Sequence, residues 1–337
     1  MNTKPFLIGG EWRTTANLQE LRAPYTGETL AQVSFAARED VEEAIAVAAS
    51  AAAEMRSLPR YEIAEALRVI ADYIKERHED FARSIAIESG KPIKAARGET
   101  DRSISTFIFA SEEARRFTGE TVPVDTQAMG RGRFGWTERI PRGIIYGITP
   151  FNFPLNLVAH KVAPALASRN AIIIKPSPRT PLTANLLGEA FLKSGLPKGA
   201  LQIVPMEIPL LDIVLDDERV AMISFTGSAE VGWKLRERAA RKQVTLELGG
   251  NAPVIVDETA DIGYSVRRTV VAAFNYSGQV CIYAQRIFLH ERIADEWTEQ
   301  FVERARNLRT GDPLDEATEL SVMIDEAAAR RAEEWIN

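Results

Sequence analysis

IIYGITPFNFPLNLVAHKVAPALASRNAIIIK, residues 144–175, reads as a short apolar run, a turn marked by Pro150 and Pro154, an amphipathic stretch of helical length, and a second apolar run ending in a lysine. Apolar, β-branched runs of about five residues separated by a helix are the signature of parallel strands buried on both faces. The pattern continues outward. Leu201 to Val204, Met222 to Thr226 and Val244 to Leu248 read as further strands with helices fitting between them. A second series follows: a strand at Ala252 to Val256, a helix at Ile262 to Asn275, a strand at Ala284 to His290 and a helix at Ile293 to Leu308. The pair Gly249-Gly250 separates the two series. The fold class expected is therefore α/β: a doubly wound parallel sheet joined to a second α/β unit.

Upstream of Gly143, residues 39–118 read as a helical block. Pro59 suits the first turn of a second helix, and Gly90 followed by Pro92 marks a stop, a left-handed cap and then a residue unable to continue the helix. RFGWTERI after it, residues 133–140, reads as an extended, exposed ribbon. The 337 residues, 45% apolar and 26% charged, suffice for about two domains with full cores. No segment approaches the roughly 18 uninterrupted apolar residues of a spanning helix, and MNTKPFLIGGEWR lacks a signal-peptide core, so a cytoplasmic, non-membrane protein is expected. A net charge of -6 weighs against nucleic-acid binding, which needs clustered Lys and Arg.

In a doubly wound sheet, ligands bind beyond the carboxyl ends of the strands. There the sequence places Asn152 after the first strand, Lys175 at the end of the second, Gly227 and Ser228 at a helix start after the fourth, and Glu247 at the end of the fifth. Each has a plain reading. Asn152 beside a proline suits a turn, Lys175 a solvated strand end, and Ser228 a helix cap. A glycine ahead of a helix N-terminus is also a phosphate site. Leu246 and Leu248 suggest that Glu247 is partly buried, with its pKa raised toward that of a working base. Cys281, the only cysteine, forms no intrachain disulfide, which leaves packing, metal ligation or reactivity. A carboxylate able to bring in water tilts the choice toward reactivity.

GRGRFG, residues 130–135, matches the G-x-G-x-x-G fingerprint by letter, but VDTQAM before it is no strand and the extended WTERI after it is no helix. It reads as a flexible basic link. His78, His160 and His290 have no ligand spacing with a Cys, a carboxylate or one another, so no metal site is expected.

Together, GITPFNFPLNLVAHKVAPALASRNAIIIKPSPRTPLTA, ISFTGSAEVG, VTLELGGNAPVIV and NYSGQVCIYAQRI, with the N-terminal IGGEWR, resemble the aldehyde dehydrogenase superfamily over essentially the whole chain. The resemblance implies that residues 1–118 and 141–250 form a cofactor-binding domain, 119–140 a link and oligomerisation strand, and 251–337 the first part of a catalytic domain. It implies NAD(P)-dependent oxidation of an aldehyde to a carboxylic acid. Cys281 would be the nucleophile, and the Asn152 side-chain amide with the Cys281 N–H would form the oxyanion hole. Glu247 would activate the water that hydrolyses the thioester. Thr149, Pro150, Phe151, Lys175, Pro178, Gly227, Ser228 and Leu248 would border the cofactor; Phe153, Asn156, Leu157 and His160 would border the aldehyde.

Two departures from the family pattern matter. Pro178 stands where NAD-preferring relatives often carry Glu, and Arg179 follows it, so NAD or NADP is expected with a slight lean to NADP. Asn156 and His160 suggest a small hydroxylated or acidic aldehyde. The chain stops at EEWIN, ahead of the family's remaining catalytic-domain segments, so the sequence reads as C-terminally incomplete, and an intact chain is expected to form a homo-oligomer, a dimer or tetramer. The alternatives are a CoA-acylating dehydrogenase, against which Glu247 argues, and a non-catalytic truncated relative.

Overall fold

The computed structural model describes residues 3–239 and 241–337. Its centre is a seven-stranded sheet running Gln243–Glu247, Val220–Thr226, Ile144–Ile148, Ala171–Lys175, Leu201–Ile203, Phe6–Ile8 and Glu11–Arg13. The first five strands are parallel and the last two add antiparallel. The chain enters at Ile144–Ile148, winds one way through Ala171–Lys175 to Leu201–Ile203, then returns to the other side of its starting strand. The switch point therefore lies at the carboxyl end of Ile144–Ile148, where a doubly wound sheet opens its crevice.

The central strands are apolar because both faces are covered. The helices Arg38–Ser57 and Asn156–Ala167 each pack on Ile144–Ile148 and Ala171–Lys175. Ile172, Ile173 and Ile174 are buried in consequence. The expected helical block is four helices, Arg38–Ser57, Arg60–Glu76, His78–Ser89 and Ile93–Arg116. Pro59 caps the second, and Gly90 ends the third in the left-handed conformation at φ 71°.

A two-stranded parallel sheet, Ala252–Val256 with Ala284–Leu289, begins after Gly250 and carries the helices Ile262–Phe274 and Ala294–Arg306. Its own core is Val256, Val266, Val270 and Trp297. Trp297 stacks on Phe301 at 4.9 Å between centroids, while its Nε1 donates to Ser265 Oγ at 2.8 Å. Of the extended ribbon only Gly135–Trp136 is strand, paired antiparallel with Thr121–Val122, and Phe134 and Trp136 stand exposed on it. GRGRFG lies in a turn that leads into this strand and not into a helix.

Helix starts are secured by distant carboxylates. Glu88, fully buried, accepts from the Leu182 and Thr183 N–H groups at 2.8 and 3.0 Å and so caps the helix Leu182–Leu192 from 94 residues away. Desolvation pushes its carboxyl up to about 8 against those hydrogen bonds. A carboxyl whose folded pKa is raised gives stability that is full below its unfolded pKa, near 4.5, and is lost as pH climbs through 8. Denaturant unfolding across pH is expected to show that decline in the wild type and a flatter one in Glu88→Gln, by on the order of a few kcal/mol at pH 9 relative to pH 5. An equal decline in both proteins contradicts the assignment.

Candidate active site

Register brings the strand ends level. Ile148 pairs with Lys175 on one side and with Phe225 on the other, and Thr226 pairs with Glu247. Lys175, Gly227 and Glu247 therefore stand along one edge, as the strand pattern led one to expect, with Thr149 beside them at the start of the loop that carries Asn152. The Thr149 N–H donates to the Lys175 carbonyl at 3.2 Å and the Gly227 N–H to the Glu247 carbonyl at 3.1 Å, so the turns leaving adjacent strands are tied together. A Cβ on Gly227 would meet the ring of the buried Phe225 at 2.5 Å, so only a glycine lets the turn lie this close to that ring.

The distant segment that carries Cys281 returns to this edge. The Asn152 side-chain amide donates to the Gln279 carbonyl at 2.8 Å, which bridges 127 residues. On the other side a Cβ at Gly250 would lie 2.8 Å from the Cys281 carbonyl oxygen, so only a glycine lets the two backbones approach this closely. Cys281 thus sits between the loop after the first strand and the turn that follows Glu247, and it is exposed. The plain reading of Cys281 as a buried packing residue fails.

Strain accompanies this placement. Tyr276 and Ser277 adopt φ of 50° and 54°, and Gly278 follows at 72°, three successive left-handed residues of which two have side chains. Such backbone persists only where its surroundings over-determine it. Here the Tyr276 hydroxyl donates to the Ser89 carbonyl at 2.6 Å, the Ser277 hydroxyl to the Ser321 carbonyl at 2.6 Å, and Gln279 Oε1 accepts from the Ile324 N–H at 3.0 Å. Asn152 Oδ1 is buried without a partner among the described residues. Its Nδ2 uses one N–H on Gln279, leaving the second for another acceptor.

Glu247 departs from expectation. It is exposed, not partly buried, because Gln243–Glu247 is the edge strand and its alternating residues face away from the core. Lys161 stands nearby, a residue the sequence reading missed. It is 6% exposed and donates to Ser224 Oγ at 3.2 Å and Thr226 Oγ1 at 2.8 Å. Burial pushes its ammonium down to about 8, with Glu247 pulling the other way. A lysine within an otherwise apolar helix face was the available signal. His160 is exposed at the mouth of a cavity of about 460 Å³ shared with Phe109, Phe117 and Pro164, yet enough protein surrounds its ring that desolvation, ahead of Arg102 and Lys161, lowers its pKa.

Of the other expected substrate neighbours, Phe153 and Leu157 are half-buried. Asn156 is 2% exposed and held from Ser103 at 3.4 Å. On the cofactor side, Pro150, Phe151 and Leu248 are half-buried and Pro178 is exposed. The Lys175 ammonium makes no hydrogen bond or ion pair among the described residues, and burial lowers its pKa. Ser228 caps the helix Ala229–Arg238 by accepting from the Val231 N–H at 3.4 Å, leaving an exposed N-terminus. An unpartnered ammonium and an exposed helix N-terminus suit an anionic, hydroxyl-bearing group. Arg179 is not free, since it pairs with Asp325 at 2.8 Å. Among the described residues no cluster of three or more His, Cys, Asp or Glu is placed to hold a metal ion, and no helix is long and apolar enough to cross a membrane.

A doubly wound α/β sheet whose switch-point loop bonds to the segment of an exposed thiol, with a carboxylate at the end of its edge strand, defines a Rossmann-like protein with a thiol-bearing crevice. Residues 12–337 match the model of the aldehyde dehydrogenase family, and the chain belongs to that family. It is 39% identical over 330 residues to a 3-sulfolactaldehyde dehydrogenase of Priestia aryabhattai, covering 98% of this chain and 69% of that protein. The crystal structure of aldehyde dehydrogenase 21 from Physcomitrella patens, in complex with the reaction product succinate, superposes with a TM-score of 0.97 at 39% identity, over 99% of this chain and 70% of that one. A glyceraldehyde-3-phosphate dehydrogenase of Methanocaldococcus jannaschii complexed with NADP superposes with a TM-score of 0.90 at 38% identity, over 96% and 71%.

Gly250→Ala is expected to lower aldehyde-dependent reduction of a nicotinamide cofactor at least tenfold, because the new Cβ displaces the Cys281 backbone. Gly249→Ala, whose Cβ meets nothing within 4 Å, is expected to stay within about twofold of wild type. Equal rates for the two variants contradict the close approach.

Proposed function

We propose that this chain carries the site for NAD(P)-dependent oxidation of a short acidic or hydroxylated aldehyde to its carboxylic acid. The observation that carries the proposal is the Asn152–Gln279 hydrogen bond, which sets an amide donor beside the segment of an exposed Cys281 at the carboxyl edge of the sheet. In this reading Cys281 Sγ attacks the aldehyde carbon. The negative charge that develops on the former carbonyl oxygen is met by the free N–H of the Asn152 amide and by the Cys281 backbone N–H. These donors act only after attack, so they stabilise the transition state and not the substrate. Bound along Lys175, Gly227 and Ser228, a nicotinamide dinucleotide supplies the hydride acceptor. Thr149, Pro150, Phe151, Pro178 and Leu248 complete its crevice. Loss of hydride leaves a thioester on Cys281. Glu247 then takes a proton from water, whose oxygen attacks the thioester carbon, and the thiol departs with the proton returned to it.

The exposure of Glu247 fits a base that meets water. A thiol near pKa ~8.5 is mostly protonated at neutral pH, and the first proton must leave before attack. Lys161 and His160, both with lowered pKa values, stand on the helix that begins beside Asn152. The names of the Priestia and Physcomitrella relatives, a sulfonated aldehyde and a dicarboxylic product, support an anionic substrate. The M. jannaschii complex with NADP and the absence of a carboxylate at Pro178 support acceptance of NADP as well as NAD. The ion pair of Arg179 with Asp325 removes one argument for preferring NADP. The same proposal includes a cofactor-binding domain of residues 1–118 and 141–250, a catalytic part at 251–337, a cytoplasmic location, and self-association through the 119–140 ribbon.

Stopped-flow absorbance of the reduced cofactor is the test. Cys281→Ser is expected to abolish hydride transfer, and Asn152→Ala to slow it roughly a hundred- to a thousandfold. Glu247→Gln is expected to keep the first turnover and lose the steady state. Hydride transfer that survives Cys281→Ser overturns the proposal. Strict use of NAD, or a preference for long alkanals, overturns its cofactor or substrate part alone.

A further inference from the structure

Lys91 is 1% exposed and Glu99 2%, and the two form an ion pair in the interior beneath the loop 151–155. Burying an ion pair is costly, and apolar residues of similar volume often serve stability as well or better. What distinguishes this pair is where its remaining hydrogen bonds go. Lys91 Nζ donates to the main-chain carbonyl of Asn152 at 2.7 Å. Glu99 Oε1 accepts from the Leu155 and Asn156 N–H groups at 2.9 and 3.1 Å. The pair therefore holds both ends of the loop that presents the Asn152 amide. The same ammonium lies 3.8 Å from the centroid of the Phe153 ring and 4.8 Å from that of Tyr276. Tyr276 belongs to the left-handed run that leads to Cys281 and is itself anchored on Ser89, two residues before Lys91.

We propose that Lys91, paired with Glu99, is a positioning residue that fixes the Asn152 amide relative to the Cys281 backbone by gripping both loops at once. This inference rests on Cys281 being the nucleophile and Asn152 the oxyanion donor. Lys91 touches neither the sulfur nor the substrate. It acts through one carbonyl and two aromatic rings. A shift of an ångström in a donor is enough to forfeit most of its effect on a developing charge.

Two reagents separate this role from general support of the fold. Acylation of Cys281 by 4-nitrophenyl acetate passes through a tetrahedral oxyanion: sulfur bonds to the acyl carbon, then 4-nitrophenolate leaves with the electron pair. Alkylation by iodoacetamide displaces iodide at a saturated carbon and forms no oxyanion. Neither needs cofactor. Lys91→Met is expected to slow acylation ten- to a hundredfold while leaving alkylation within about twofold of wild type. In an Asn152→Ala background, adding Lys91→Met is expected to cost less than threefold more, because the donor it positions is gone. Lys91→Met leaves the Glu99 carboxylate buried without its counter-charge. The companion Lys91→Met/Glu99→Gln removes both charges and keeps a carbonyl oxygen for Leu155 and Asn156, and it is expected to unfold cooperatively with the same selective loss. Acylation and alkylation falling together, or full additivity with Asn152→Ala, overturns the positioning role. A wild-type Cys281 that alkylates but acylates no faster than a free thiol overturns the nucleophile reading, and the role of Lys91 with it.

Discussion

A single 2.8 Å hydrogen bond from the Asn152 side-chain amide to the Gln279 carbonyl joins the two halves of this site. Asn152 is delivered by the parallel sheet, at the carboxyl end of its central strand. Gln279 and Cys281 are delivered by a strained loop beyond the second sheet's first helix. Neither segment alone defines a reaction centre. Joined, they set a polar donor against the segment that carries an exposed thiol, on the edge that also ends in Glu247. The glycine at 250 is the complementary condition, since its missing side chain lets the Cys281 backbone lie against the turn that follows Glu247.

That junction is held by ionisable side chains placed where solvent cannot compete. Lys91 and Glu99 sit beneath it, Glu88 caps a helix on the adjoining wall, and Lys161 bonds to hydroxyls of the strand that ends at Thr226. Buried polar and charged groups weaken a core energetically unless each is hydrogen-bonded, and these are. Their common property is direction. Each ammonium or carboxyl group fixes a particular backbone or hydroxyl group, which apolar packing cannot do. The strained Tyr276 and Ser277 backbone fits the same logic, since hydroxyl bonds to Ser89 and Ser321 hold a conformation the chain would otherwise leave.

The central strands were legible in the sequence because burial on both faces writes itself as unbroken β-branched runs. Ile144–Ile148, Ala171–Lys175 and Ala252–Val256 fall on the expected residues. Phe6–Ile8 and Glu11–Arg13 were not legible, as three-residue strands carry no period and Leu201–Ile203, the strand on which Phe6–Ile8 joins the sheet, is remote in sequence. The alignment of Asn152, Lys175, Gly227 and Glu247 followed from topology alone. The exposure of Glu247 did not, because the flanking leucines signal a buried strand whereas an edge strand turns alternate residues outward. Lys91 and Glu99 drew no assignment from the sequence, and only three-dimensional packing shows what they and Lys161 grip.

The most direct measurement is peptide mapping by mass spectrometry of Glu247→Gln protein quenched in acid after one turnover with aldehyde and cofactor. Attack by sulfur within this crevice places the acyl group on the peptide containing Cys281, in amounts approaching one per chain. An acyl group found on another residue, or no adduct despite reduced cofactor having formed, contradicts it.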